Sequence, residues 1–267
     1  LTHIMALGWG TMMILGASHQ LVPVLIEGKL FSNKLAFTSF VLAAVGVPLL
    51  CYGFYMFDMG WPAKWGGRFV ILAIIAYLIN VAVSMARSKH ENVHAVFVFT
   101  ATLWLLVTAL IGLILVYNFS YPLIRGSSLH YLPLHAHIGV IGWFLLLIMG
   151  VGSRLISMFL ISKYNKPKRL WLIYGLVNVG LVAFIFNFLY ADSKLIQMIS
   201  ILAIATAIIL FVNYCYRSYK QRIRKRVDEQ MKVSLLSVLM MLIPVVFLIV
   251  ILVLFFLSDK ENTRMII

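Results

Sequence analysis

Two histidines, His3 and His137, have both the residue type and the setting that could do chemistry in this sequence. Each begins a long apolar segment, and each is followed five residues later by a Gly-Trp pair. An ionisable residue within a membrane-spanning segment is costly in lipid and normally faces a bundle interior, a cavity or a cofactor. Neutral imidazole is the commonest metal ligand in proteins and a standard axial ligand of haem iron. The two histidines are therefore candidate ligands of a metal or a haem.

The segments that carry these histidines form an internal repeat. Residues 3–21 superpose on residues 137–155 without a gap and give seven identities in nineteen positions, among them His, Trp and two glycines. The glycines would let a second helix or a bulky group approach the backbone. The repeated Trp9 and Trp143 could line an apolar pocket while their N–H groups find a partner. This pattern favours cofactor binding, and the open alternative is that the histidines lie in the polar interface while Gly and Trp serve helix packing and the aromatic belt.

A further histidine, His135, precedes His137 in the sequence LHAH. Residues two apart point to different sides of a helix, so at most one of these two should bind the same metal. We therefore predict a metal site that combines His3 with either His135 or His137.

The composition identifies the class of protein that must position these residues. Hydrophobic residues make up 63% of the 267 residues and charged residues 11%. A soluble domain is excluded, because so few polar residues could not cover its apolar core. A spanning helix needs about 20 apolar residues, and interruptions by charge, Pro, Gly or Asn divide the chain into eight such segments. We predict an all-α polytopic membrane helix bundle, a single transmembrane domain over 1–267 with parallel four-helix copies at about 1–134 and about 135–267. The predicted segments lie near 3–25, 35–57, 68–86, 93–118, 135–161, 169–190, 194–216 and 233–257.

The net charge of +14 indicates membrane topology and not nucleic-acid binding, because the basic residues gather in alternate short loops. Those loops are predicted to face the cytoplasm, so the N-terminus of the chain lies outside and segments one and five run inward. His3 and His137 then lie near the outer membrane surface, and the partners include membrane lipid but no nucleic acid. The inner basic residues are Arg87 and Lys89; Lys163, Lys166, Lys168 and Arg169; and Arg217, Lys220, Arg222, Arg224, Lys225 and Arg226.

Both histidine segments resemble helices of haem-copper oxidase subunit I, the superfamily of the cytochrome oxidases and nitric oxide reductases. Residues 1–25, with Val22 and Pro23 near their end, are similar to the family's second helix, where a histidine near the outer surface binds low-spin haem. Residues 135–159 are similar to the sixth helix, four helices later, as the threefold pseudo-symmetry of the family requires. The same out-to-in direction follows independently from the charge distribution.

The resemblance implies a haem-binding protein of the bacterial inner membrane, in respiratory electron transfer to oxygen or nitric oxide. His3 would be an axial haem ligand and His135 or His137 a metal ligand, with cytochrome c or quinol as electron donor and other respiratory subunits as partners. Arg125, in the outer loop before segment five, could pair with a haem propionate, although an ordinary solvated loop is the alternative.

The sequence also departs from the family. The copper-binding helix of the family carries His-Pro-Glu-Val-Tyr, whereas this chain has His135, Ala136, His137 and Ile138, and no histidine follows His137. Copper is thus a possible cofactor whose site is incomplete, and a third repeat is missing. We expect either a piece of a longer protein or a reduced relative. A noncatalytic protein that binds haem, copper or nitric oxide, and a transporter or structural subunit, remain alternatives.

Other polar side chains occur toward the inner ends of the predicted segments. His19 and Arg154 lie near the inner ends of the two repeated segments, and His90 and His94 flank the start of segment four. Interfacial positions account for them, with proton uptake or ligation as the alternative.

Overall fold

A computed structural model describes residues 1–88, 92–250 and 253 of the chain. His90 and Lys89, and the end of the predicted segment 233–257, lie outside these residues. The described part forms eight helices and no strand, with an isolated antiparallel bridge between Ser162 and Arg222. The helices are α1 (π-helical Ile4–Thr11 continued by α-helical Met12–Leu25), α2 (Asn33–Tyr55), α3 (Trp61–Ala86), α4 (Val93–Asn118), α5 (Ser128–Phe159), α6 (Pro167–Ala191), α7 (Lys194–Lys220) and α8 (Glu229–Val250).

The predicted all-α membrane helix bundle is confirmed. Seven helices, α2 to α8, are long and apolar enough to cross a membrane by their length and composition. Helix α1 is not among these seven, because Thr11, His19 and Gln20 dilute its apolar residues. The chain is therefore an integral membrane protein whose first helix is more polar than the others.

The helix boundaries follow local signals that the hydropathy pattern did not show. Ser32 caps α2 by accepting a hydrogen bond from Leu35 N at 3.2 Å, and Asn92 caps α4 through His94 N at 2.9 Å. Helix α3 begins at Trp61, earlier than the predicted segment at 68, because Pro62 fits the first turn of a helix. Helix α5 likewise begins at Ser128 and not near 135, through a 3-10 turn that precedes the α-helical residues.

The contacts divide the chain into two compact units, Leu1–Val151 and Gly152–Ile267. The candidate ligands His3, His135 and His137 all belong to the first unit. The two predicted repeat copies, about 1–134 and 135–267, remain a prediction, since this division follows contacts and not sequence similarity.

Candidate functional site

Both histidine helices contain a π-helical stretch at the same place in the repeat. Ile4–Thr11 directly follows His3, and Ile138–Leu145 directly follows His137. The backbone N–H after each stretch bonds the carbonyl five residues earlier, Met12 to Leu7 in the first copy and Leu146 to Ile141 in the second. The similarity in sequence is thus accompanied by the same unusual backbone conformation. Such π-helical turns inside helices are frequent at functional sites.

The structure brings His3 and His135 together. Their ring centroids are 6.1 Å apart and their planes are inclined by only 27°. His137 is exposed, and its Nδ1 lies 2.7 Å from the carbonyl oxygen of Pro133 on its own helix. Since residues two apart point to different sides of a helix, His135 faces His3 while His137 faces away. The repeat therefore aligns His3 with His137, whereas the histidine that lies beside His3 in the structure is His135.

Helix α4 holds the ring of His135 in position. His135 Nδ1 lies 3.0 Å from the carbonyl oxygen of Thr108. Because a carbonyl oxygen only accepts hydrogen bonds, Nδ1 carries the hydrogen, and Nε2 of the neutral ring keeps its lone pair. The ring also lies over Gly112, where a Cβ atom would be 2.9 Å from His135 Cε1. Only a residue without a side chain leaves room for the imidazole at this point of α4.

His3 packs against the C-terminal end of α2. Its ring centroid lies 4.8 Å from that of Phe54, with an interplanar angle of 53°. Phe54 and Leu7 pack against a buried apolar cluster of Leu50, Ala63 and Val116. Among the described residues, no hydrogen bond engages the ring nitrogens of His3. A nitrogen of His3 is therefore available to a ligand in the same way as Nε2 of His135.

The spacing of this histidine pair suits a metal between the rings. Two imidazoles on opposite sides of one metal, each with its nitrogen about 2.0–2.1 Å from it, have centroids roughly 6 Å apart. Among the described residues, no group of three or more His, Cys, Asp or Glu side chains could hold a metal ion. The 6.1 Å between the two centroids matches this distance, and further ligands to a metal held by the pair would come from a cofactor or solvent.

The two repeated tryptophans have different environments. Trp143 is 1% exposed, and its Nε1 donates to Thr11 Oγ1 at 3.2 Å. Thr11 in turn donates to the carbonyl of Ala6 at 2.8 Å. Trp9 is 63% exposed. Trp143 therefore links α5 to the π-helical stretch of α1 by a hydrogen bond. Among the described residues, no equivalent hydrogen bond is found for the indole of Trp9.

Replacing Thr11 by valine should destabilise the protein, because it leaves the buried N–H of Trp143 without an acceptor. An unsatisfied buried donor costs about 1–3 kcal/mol. Thermal unfolding in detergent, followed by labelling of Cys51 and Cys215 with a thiol-reactive fluorogenic dye, would measure the change. Thr38→Val, at an exposed position of α2, is the matched control and should leave the midpoint unchanged. Equal midpoints for both variants would contradict a structural role of the Trp143 hydrogen bond.

The remaining predicted site residue, Arg125, is exposed in the loop before α5. Its carbonyl oxygen accepts a hydrogen bond from Tyr131 Oη at 3.1 Å. No contact among the described residues joins its side chain to His3 or His135. The structure thus groups His3 with His135 and leaves Trp9, Arg125 and His137 outside this group.

Two other histidines of the first unit lie in separate polar contacts. His19 Nδ1 lies 2.5 Å from the carbonyl oxygen of Leu15, and its ring meets the edge of Tyr77 at a centroid distance of 5.2 Å. His94 is buried, with Nδ1 3.2 Å from the carbonyl oxygen of Gly150. Nε2 of His19 is buried and has no hydrogen-bond partner among the described residues, so a ligand or proton-uptake role for His19 stays a prediction.

The sequence interpretation missed Thr108 and Gly112, which position His135. A signal for Gly112 was present, because an isolated glycine inside an apolar helix often marks a close approach of another group. The sequence of α4 alone could not show that the approaching group is the ring of His135.

Comparison of the chain with protein-family models, with curated proteins and with solved structures finds no match.

Proposed function

We propose that this chain is a haem-binding integral membrane protein that resembles haem-copper oxidase subunit I and takes part in respiratory electron transfer. His3 and His135 would hold the haem through its iron. The observation that supports this proposal is the 6.1 Å spacing of their near-parallel rings, each with a nitrogen free to bind.

The number of protein ligands favours haem over copper. A protein-bound zinc or copper ion typically takes three or four side-chain ligands, and the described residues offer only two near each other. Haem supplies four nitrogen ligands of its own and requires only axial residues from the protein. Copper at this position therefore has weaker support.

The protein's own residues would determine how the haem is held. Thr108 orients the His135 ring through its carbonyl, and such hydrogen bonds make a histidine a better ligand. Gly112 keeps α4 close to that ring without blocking it. When bound, the haem would supply one-electron redox chemistry at the outer side of the membrane.

If both histidines hold the haem, they would favour electron transfer over turnover with a gas. Reduction of oxygen or nitric oxide is therefore the weaker part of the proposal. Cytochrome c or quinol as donor, other respiratory subunits as partners, and the bacterial inner membrane with the N-terminus outside belong to this proposal.

A noncatalytic haem protein for sensing, assembly or protection is the second candidate. The absence of a third metal-ligating side chain beside the pair, in the part of the chain that the structure describes, favours it over a copper-containing oxidase. The two candidates share the histidine pair and differ in what the reduced iron does with a gas.

The test is an absorption spectrum of the detergent-purified protein from haem-sufficient cells. We expect a Soret band when oxidised and sharp, low-spin bands after reduction with dithionite. Carbon monoxide or nitric oxide should leave these bands in place if both histidines stay bound, and a gas-induced shift would favour oxidase-like or gas-sensing activity. A colourless protein that also fails to bind added haemin would contradict the proposal and favour a transporter or structural subunit.

A further inference from the structure

Helices α2 and α3 line an open apolar groove toward the C-terminal end of α2 and the N-terminal end of α3. The groove has a volume of about 780 Å³. Its lining is rich in aromatic residues, and Trp61 and Tyr52 are more than half exposed along it. The main lining residues are Val45, Pro48, Tyr52, Trp61, Trp65 and Phe69.

One cationic side chain of α3, Arg68, lies beside this groove, and a second, Lys64, shares a contact with it. The guanidinium carbon of Arg68 lies 4.7 Å from the centroid of the Trp65 ring, which itself lines the groove. Lys64, one turn earlier, donates from Nζ to Ser120 Oγ at 2.8 Å. Both cations also contact Tyr117 of α4, Lys64 over its ring at 5.1 Å and Arg68 by a hydrogen bond to its hydroxyl. Aromatic and hydroxyl contacts thus hold the charge of Arg68 at the wall of the groove, and Lys64 is linked to Arg68 through their shared contact with Tyr117.

In residues 1–88 and 92–250, neither Lys64 nor Arg68 forms an ion pair with a carboxylate. The amino end of α3 adds partial positive charge of its own. It has no acidic residue in its first turn, but the exposed Asp58 just before it accepts a hydrogen bond from Gly60 N at 2.7 Å. The two cations outnumber this carboxylate, so the net charge at this end of α3 is complementary to an anionic ligand.

We propose that this groove binds an anionic phospholipid of the membrane leaflet beside it, with an acyl chain along α2 and α3 and the phosphate at Arg68 and Lys64. The ligand must be amphipathic, because the Trp65 ring both lines the apolar groove and carries the guanidinium of Arg68. It must sit at the membrane surface, because exposed tryptophan and tyrosine side chains are typical of the interface. The proposal is independent of haem binding, since it uses neither His3 nor His135.

Quenching of tryptophan fluorescence by brominated lipid tests this site. The protein is reconstituted into phosphatidylcholine vesicles that contain equal fractions of either brominated phosphatidylglycerol or brominated phosphatidylcholine. Trp61 and Trp65 should be quenched more strongly by the anionic lipid, and the difference should disappear in a variant with both tryptophans replaced by phenylalanine. The ratio of the two quenching constants measures the preference for phosphatidylglycerol.

Arg68→Gln should lower this preference about fivefold, the effect of removing one basic residue near an anionic headgroup. Arg68→Lys keeps the charge and should retain most of the preference, which separates loss of binding from misfolding. Lys194→Gln, which removes one positive charge at the start of α7, is the matched control and should behave as the parent. Equal quenching by the two brominated lipids in the parent, or an equal effect of Arg68→Gln and Lys194→Gln, would overturn the proposal. So would a loss of haem in Arg68→Gln with unchanged lipid preference.

Discussion

Replacing His135 by alanine is expected to remove the haem absorption bands from the purified protein, and replacing His3 is expected to do the same. Loss of a hydrogen-bond partner of a metal ligand typically lowers affinity about 10- to 100-fold, and loss of the ligand itself should exceed this. The measurement is the haem-to-protein ratio, with the reduced spectrum of whatever haem remains.

His137→Ala is the matched control, because it removes the same side chain two residues along the same helix. His137 is exposed and bonds its own helix, so this variant should keep the parent spectrum. The sequence repeat aligns His137 with His3, whereas the structure pairs His3 with His135. A spectrum lost in His137→Ala and kept in His135→Ala would show that the repeat, and not the observed pair, identifies the ligand.

Free imidazole distinguishes ligation from a packing role of His135. Truncation to alanine leaves a space beside Gly112 that a diffusing imidazole can enter, and a bound imidazole restores the missing ligand. We expect added imidazole to return the low-spin bands in His135→Ala. If the variant binds no haem at any imidazole concentration while remaining folded, His135 supports the site without being a ligand.

The helices could be predicted from the sequence because long apolar runs and their interruptions are local properties of the chain. The start of α3 was missed because Trp61 and Pro62 precede the strongly apolar run, and a proline in the first helical turn has no hydropathy signal. Helix α1 was grouped with the others, although its polar residues distinguish it from the seven strongly apolar helices.

The candidate site was only partly predictable, since a repeat shows equivalence in sequence and not in surroundings. Trp9 and Trp143 are identical in type, yet Trp143 is buried against Thr11 while Trp9 is exposed. The choice between His135 and His137 depends on which side of α5 faces α4. That side is determined by the contacts of His135 with Thr108 and Gly112, which are distant in the chain.

Close packing of α2 against α3 depends on glycines that place the two backbones in contact. A Cβ atom at Gly66 would lie 2.7 Å from Leu50 Cα and 2.9 Å from the carbonyl oxygen of Gly46. Across the interface, a Cβ atom at Gly46 would lie 2.9 Å from Val70 N. These contacts are with backbone atoms, which cannot rotate away as a side chain can. Small residues at such positions let membrane helices approach closely.

Gly66→Ala is therefore expected to destabilise the protein although alanine is the better helix former. The gain in helix propensity is about 0.8–1.0 kcal/mol, whereas overpacking of a filled interface costs about 1–3 kcal/mol and more where backbones must separate. For a chain of this size, each kcal/mol shifts the unfolding midpoint by about 2–4 °C. The midpoint in detergent, followed through labelling of Cys51 and Cys215, should fall by several degrees.

Gly16→Ala is the same type of substitution, but it is not expected to lower the unfolding temperature. Gly16 lies inside α1, and a Cβ atom there would meet nothing within 4 Å, so only the helix propensity changes. This variant should unfold at the parent's temperature or slightly above it. Because α2 also carries Phe54, which contacts the His3 ring, separation of α2 from α3 in Gly66→Ala should lower haem content as well. Equal midpoints for the two variants would mean that α2 and α3 are not in backbone contact in the membrane protein.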